Sequence, residues 1–518
     1  MKREFFLLGL FVGEALAIPL FVRGFGGTSE DGALSITYSS DGGYALTGYT
    51  QSFGAGLNDC LVLKLTGLGC LQWARTLGGT NNDWSCCIVQ STDGGYALAG
   101  RTNSFGAGDY DFLVLKLTSS GDIEWAKTFG GAGYDYASSI IQSSDGSYIV
   151  VGSTNSFGAG SYDILILKLA PSGNLVWAKV VGGASCDRGY SVIQVTDGGY
   201  VLTGSTNSFG AGSYDILLLK LDPSGNLVWA KALGGPTYDE GYSVIQTSDG
   251  AYLVGGYTGS FEAGLNDFLV SKIDPVGNPS WTRTVGGTDS DEAEAVIQVW
   301  DGSFVVAGGA RSFGSGNNYD ILVSKLDPAG NHIWASRLGG NSYDRAQSLV
   351  GVPGEGVMVA GYGLSFGQSA ADFILATFDD MGGSCLGVPV SPTIISPSLT
   401  VTSISPSVAS VNPTVTSPNL TALSPNIAVT THCPLEVEED ISVPDLRMVI
   451  RGSFAHISLP APGSLILYDI SGRSLRTWEL EAGSWSIAWD TGFASGVYIL
   501  ELRCEEKRIA EVCVKGGE

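Results

Sequence analysis

A Gly-Gly pair returns at Gly26, Gly78, Gly130, Gly182, Gly234, Gly286 and Gly339, spaced by 52 residues five times and then by 53. Each unit is too small to bury a core alone, so seven of them must stack or close on one another. The unit starting at Gly182 holds four apolar runs, around Ser191 to Val195, Tyr200 to Ser205, Asp215 to Leu221 and Leu227 to Leu233. These runs are short, β-rich and separated by turn residues, which predicts strands. The turns have their own chemistry. Asp-Gly-Gly or a near variant (Asp41, Asp93, Asp145, Asp197, Asp249, Asp301) separates the first two runs, and Asp222-Pro223-Ser224-Gly225-Asn226 separates the last two. Glycine supplies the positive φ of a tight hairpin, and proline presets a type I turn. Helix signals are absent. Four antiparallel strands per unit at this period predict an all-β, seven-bladed β-propeller rather than a helical solenoid.

The two ends of the array predict how the ring closes. The seventh unit has a third strand, Asp372 to Phe378, but no fourth. Phe21-Val22-Arg23-Gly24-Phe25-Gly26 aligns with Trp73-Ala74-Arg75-Thr76-Leu77-Gly78, with Phe21 in the tryptophan place. The N-terminal segment is therefore expected to complete blade seven and remove an open sheet edge. Through GGxxxD, DGxY, SFGxG, KL and GNxxW, residues 18–384 resemble bacterial β-propeller repeat families. That resemblance implies a propeller and an extracellular setting, and no single activity.

The flanks have different characters. Lys2 and Arg3, the apolar run Phe5 to Val12 and the site Ala15-Leu16-Ala17 read as a signal peptide over residues 1–17. Residues 385–433 turn to Ser, Thr, Pro and Val, which predicts an extended linker suited to O-glycosylation. Cys385 and Cys433 bracket it, and a disulfide between them would stabilise by about 4 kcal/mol in the chain-entropy model. From 434 to 518 β-like segments return. Leu467-Tyr468-Asp469-Ile470-Ser471-Gly472-Arg473, Trp489-Asp490 and Ser495-Gly496-Val497-Tyr498-Ile499-Leu500 together resemble the type A C-terminal sorting domain of the type IX secretion system. The resemblance implies a small immunoglobulin-like β-sandwich read by the secretion machinery. The ending, Cys513 and Gly516-Gly517-Glu518, departs from the basic, apolar finish of that family.

Charge narrows the partners. With 27 basic against 51 acidic side chains the chain carries −24, which disfavours nucleic acid and anionic membranes. Beyond the signal segment, no run of about 18 apolar residues predicts a transmembrane helix. Nine cysteines suit an oxidising compartment, and with no CxxC pair and three histidines zinc is disfavoured.

The recurring polar residues invite a site and mostly argue against one. Asp31, Asp83, Asp135, Asp187, Asp239, Asp291 and Asp344 follow each Gly-Gly pair and are the candidate calcium ligands, because calcium takes six to eight oxygens. A second aspartate precedes each third strand (Asp59, Asp111, Asp163, Asp215, Asp267, Asp320, Asp372). Residues present in every blade suit a turn better than one asymmetric reaction. By the same argument the fourth-strand tryptophans (Trp73, Trp125, Trp177, Trp229, Trp281, Trp334) are expected to pack blade on blade. Asp222 to Trp229 resembles the tryptophan-docking repeats of quinoprotein dehydrogenases, but the units lack long cofactor-binding insertions, so no organic cofactor is expected. Ser39 to Gly43 partly matches the Asp box of sialidases without its closing aromatic. Non-repeated carboxylates (Glu124, Glu240, Glu262, Glu292, Glu294, Glu355) could serve glycoside hydrolysis, and solvated positions are the simpler expectation. GxSxG, HExxH and P-loop motifs are absent, and His332 is the propeller's single histidine, expected in an exposed hairpin. The uniform blades favour a secreted or cell-surface, non-enzymatic scaffold that binds glycan or protein. The alternative is a secreted polysaccharide hydrolase or lyase with its site at one mouth of the channel.

Overall fold

The computed structural model describes residues 20–261, 264–314, 318–352, 356–366 and 370–397, together with strand segments between 399 and 515. Every repeat folds as expected into a four-stranded antiparallel blade. In blade four the strands are Asp187–Gln194, Tyr200–Thr206, Asp215–Leu221 and Leu227–Gly234, hydrogen-bonded in that order. The first strand begins four residues earlier than the apolar run around Ser191 implies. A bulge between Gly189 and Ser191 shifts the register, so the upstream residues fall out of the alternation that marks a strand in sequence.

First strands of neighbouring blades touch all the way round, blade seven to blade one included, so they surround a central channel. Serines help to join them. Ser191 Oγ accepts from the Val244 amide at 3.4 Å, and Ser139 Oγ from Val192 at 3.3 Å.

The repeated tryptophans bind each blade to the next. Trp125 of blade two donates from Nε1 to the Pro171 carbonyl of blade three at 3.1 Å and meets the Tyr148 ring edge-on at 5.9 Å. Gly225, with φ +80, needs glycine twice over, because a β-carbon there would also lie 2.9 Å from the Trp177 ring. The third-strand lysines Lys64, Lys116, Lys220 and Lys325 are buried and ion-paired to the hairpin aspartates, as Lys220 is to Asp197 at 2.7 Å.

Blade seven closes with the N-terminal strand. Val22–Gly26 runs antiparallel to Asp372–Asp379, with Val22 opposite Ala376 and Phe25 opposite Phe373. Phe21 is fully buried, and a β-carbon on Gly69 would lie 2.5 Å from its Cζ. It therefore fills the place that Trp177 fills over Gly225.

The described strands of the Ser/Thr/Pro segment are not a free spacer. Seven short strands between Val388 and Thr431 add a fifth strand to the blades in the order six, five, four, three, two, one, seven. Each fourth strand offers an unpaired edge, and an extended segment with no core of its own can satisfy its backbone groups there. Cys385 is disulfide-bonded, and its expected partner Cys433 lies outside the described residues. Cys60, Cys70, Cys86, Cys87 and Cys186 are free thiols. Beyond the rim, one sheet comprises Arg447–Arg451, Phe454–Leu459 and Gly483–Ala488. A second comprises Ser474–Leu480, Gly463–Asp469, Gly496–Cys504 and Lys507–Lys515. Residues 1–17, read as a signal peptide, lie outside the described residues.

Candidate functional site

The structure places the seven Gly-Gly aspartates at the start of each first strand, spread round one face, here termed upper. Each is occupied in holding loops. Asp187 Oδ2 accepts from the Gly183 amide and from Ser208 Oγ, both at 2.7 Å, while Oδ1 accepts from Thr206 Oγ1. Its neighbour Asp163 accepts from the Ala159 and Gly160 amides at 2.8 and 3.1 Å. The two carboxylates flank Gly182, where a β-carbon would lie 1.7 Å from Asp163 Oδ1 and 3.0 Å from Asp187 Oδ2. Burial, with Asp187 close by, raises the pKa of Asp163, and burial pushes Asp291 up to about 6. Among the described residues no three His, Cys, Asp or Glu side chains converge on a metal position.

The asymmetric chemistry sits between these aspartates and the channel. The second residue of each first strand varies from blade to blade: Gly32, Trp84, Tyr136, Arg188, Glu240, Glu292 and Arg345. The fourth varies too, with Tyr190, Tyr242 and Glu294 on blades four, five and six. The sixth stays aliphatic and buried, as in Val192, Val244 and Val296. Blades four to seven thus gather tyrosines, carboxylates and two arginines at one stretch of the channel wall.

Two linked clusters result. In the first, the Tyr190 hydroxyl donates to Glu240 Oε2 at 2.9 Å, and Tyr190 packs on Tyr242 with ring centroids 4.9 Å apart. Tyr257, opposite Glu240 on the second strand of blade five, extends the row at 5.7 Å from Tyr242. Glu240 is 7 % exposed, so its carboxylate depends on these neighbours rather than on water. Burial, and then the charge of Glu240, raise the pKa values of Tyr190 and Tyr242 well above the usual tyrosine value. Both hydroxyls therefore remain protonated donors.

In the second cluster Arg345 of blade seven grips two carboxylates of blade six. Its Nη2 donates to Glu292 Oε2 at 2.6 Å and to Glu294 Oε1. Tyr319 donates to Glu292 at 3.2 Å, and the Arg345 guanidinium lies 5.4 Å from the Tyr319 ring centroid. Burial raises the pKa of Glu294 although Arg345 opposes it. Burial works against the Arg345 charge, but Glu294 and Glu292 outweigh it and hold the guanidinium protonated. Burial and Glu292 push Tyr319 up to about 12. With Glu240, Glu292 and Glu294 set beside the guanidiniums of Arg188 and Arg345, the wall offers acceptors, donors and aromatic faces, a surface suited to polyhydroxylated ligands.

Stacked tyrosines flank this wall on the upper face. From blades one to five, the residue before the third-strand aspartate forms a bridge with the residue before the next blade's first aspartate, which sets Tyr110 beside Tyr134 and Tyr214 beside Tyr238. The ring centroids lie 5.7 and 5.8 Å apart, and Tyr134 and Tyr238 are 42 % and 51 % exposed.

Of the non-repeated carboxylates singled out in the sequence, the structure brings Glu240, Glu292 and Glu294 together and buries them in large part, against the expectation of solvated positions. Adjacent inner strands provide partners that a single strand cannot. Glu124 lies apart on blade two, paired with Lys116 at 2.9 Å, and Glu262 and Glu355 lie outside the described residues. His332 is half-buried at the start of a fourth strand rather than exposed in its hairpin. The tyrosines and Arg345 were missed. Their one sequence signal is variation at the first and third positions after each Asp in an otherwise uniform repeat.

Fold and wall define a seven-bladed β-propeller with a one-sided channel site. Residues 143–175 match a family described as a β-propeller domain of unknown function, DUF5122. Over 138 residues the chain is 30 % identical to the regulatory protein FlaEY of Caulobacter vibrioides, an alignment spanning 24 % of this chain and 14 % of that protein. Among solved structures it is similar to Sqt1 from Chaetomium thermophilum, at 12 % identity and TM-score 0.42, covering 70 % of this chain and 100 % of that one. It is also similar to PorZ of Porphyromonas gingivalis, a surface component of the type-IX secretion system, at 10 % identity and TM-score 0.35, covering 95 % of this chain and 60 % of that one. Among the described residues no helix is long and apolar enough to cross a membrane.

Proposed function

We propose that the protein is a secreted or cell-surface binding propeller that seats a glycan on the channel wall of blades four to seven, and that its C-terminal module directs its export. The observation that carries the reading is the confinement of Glu240, Glu292, Glu294 and Arg345, with their tyrosines, to one side of a sevenfold repeat. A scaffold alone has no need of such asymmetry. Sugar hydroxyls donate to carboxylates while the C–H faces of the ring stack on tyrosine, and the exposed Tyr134 and Tyr238 extend that surface over the upper face. Binding is favoured over hydrolysis because Glu292 and Glu294 are both committed to Arg345.

The test is retention of the full-length chain on a panel of immobilised neutral and amino-sugar polysaccharides, with Glu240→Gln and Tyr242→Ala as variants. Loss of retention in folded variants supports the reading, and equal retention of variants and parent overturns it. Release of reducing ends by the parent, abolished by Glu294→Gln, establishes the polysaccharide-acting enzyme instead. For export, the motifs from Leu467 to Leu500 support type IX sorting. Intact-mass analysis of the surface form from the native host should find residues 1–17 removed and the C-terminal module cleaved. A periplasmic protein intact to Glu518 sinks the sorting idea.

A further inference from the structure

The rim strands obey a rule of their own. From residue 386 to 434 the chain divides into seven consecutive heptads, one per blade, and residues 386–431 contain no charged side chain. The first position is Thr393, Thr400, Ser407, Thr414, Thr421 and Ala428 in the last six heptads, and the second is Ile394, Val401, Val408, Val415, Ala422 and Val429. The pairing keeps one register on these six blades. Thr393 lies opposite Gly286, Thr400 opposite Gly234, Ser407 opposite Gly182, Thr414 opposite Gly130, Thr421 opposite Gly78 and Ala428 opposite Gly26. These partners are the first glycines of the Gly-Gly pairs that define the 52-residue repeat. On blade six, Val388 opposite Arg337 and Pro389 opposite Ser336 place a heptad starting at Leu386 in the same frame.

We propose that the rim is a repeat-reading dock. Each fourth strand takes one uncharged heptad by β-augmentation, and residues 386–434 are its resident ligand. Successive rim strands enter this register seven residues apart, so the heptad acts as the step from one blade edge to the next. One strand of three or four residues pairs weakly, but heptads joined in one chain dock at high effective concentration. The match must therefore hold at every step, since a slip of one residue turns every following side chain to the opposite face. The last heptad has a further task. Its strand Ala428–Thr431 pairs with the N-terminal strand, which is thereby held between it and Asp372–Asp379. The dock thus locks the one seam of the ring that is closed without chain continuity. Binding through backbone hydrogen bonds explains how an uncharged, low-complexity segment is recognised at all.

The experiment is hydrogen exchange on full-length variants under reducing conditions, so that the disulfide of Cys385 constrains none of them. Deleting Val411 alone shortens one step by a residue, and exchange across 414–431 should rise to the rate of an unstructured peptide while 388–403 stays protected. Deleting 407–413 removes a whole heptad, so the remaining segments should dock one blade early and stay protected. Only the N-terminal strand, Val22–Gly26, should then lose the protection given by its outer partner. Amides of Tyr148–Thr154 report whether the propeller itself is folded. Protection of 414–431 that survives the Val411 deletion, or is lost throughout when 407–413 is removed, overturns the proposal. Should either variant fail to fold, the parent decides: rim amides exchanging like an unstructured peptide also overturn it.

Discussion

The Tyr190 hydroxyl donates to Glu240 at 2.9 Å from one inner strand to the next, joining residues 50 positions apart. Glu240 is buried, so removing the donor leaves a carboxylate short of partners. Tyr190→Phe should lower stability by about 1–3 kcal/mol, and adding Glu240→Gln should recover part of the loss. Chemical denaturation of the two variants measures this. An unchanged midpoint for Tyr190→Phe would show that other groups hold Glu240.

Arg345 neutralises two largely buried carboxylates of the neighbouring blade. Arg345→Met should cost about 3–5 kcal/mol, near the lower figure because some water reaches the site. Combining it with Glu292→Gln and Glu294→Gln should restore much of that stability. A triple variant no more stable than Arg345→Met contradicts this electrostatic account.

Phe21 anchors the closing strand where other blades use tryptophan. Phe21→Ala should destabilise by about 3–5 kcal/mol, because it opens a cavity at the seam between blades seven and one. Deleting residues 19–25 should lower the thermal midpoint further. A deletion variant as stable as the parent rejects closure by this strand.

The hairpin aspartates predict the acid limb of stability. Asp249 is held down to about 2, chiefly by Lys272 and then by Thr247. Its folded pKa is depressed, so its contribution is complete above the ordinary carboxylate value of 3.8 and is lost as pH falls through about 2. Asp41, Asp93, Asp145, Asp197 and Asp301 are lowered in the same sense. Asp249→Asn should therefore flatten the loss of stability between pH 4 and 2, read from urea midpoints at each pH. An unaltered slope there would falsify the assignment.

Non-reducing peptide mapping should place Cys385 in a cross-link with Cys433. Cys60, Cys70, Cys86, Cys87 and Cys186 should alkylate as thiols once the chain is unfolded. A cross-link from Cys385 to any other cysteine rejects the pairing.

Much of the architecture is written along the chain because it repeats. The Gly-Gly period counts the blades, and the alignment of Phe21 with Trp73 places the closing strand, since both depend on side chains that pack in the same way in every unit. The rim is the instructive failure. Its heptads are legible from Thr393 to Thr431, yet Ser-Pro pairs in a segment without a core read as a spacer. Its pairing runs through backbone groups, which leave little side-chain signature.

By itself, then, the sequence determined the blade, its number and its closure, because each follows from local patterning repeated seven times. Only the tertiary structure decided what the exceptions do. Glu240, Glu292, Glu294 and Arg345 look like scattered charges along the chain, and they come together because a closed ring sets equivalent positions of successive repeats side by side. In each of these first strands a bulge at the fourth residue shifts the register, which no single strand shows along the chain. The rim needed the fold in the same way: the edges that select its register exist only once the blades have formed.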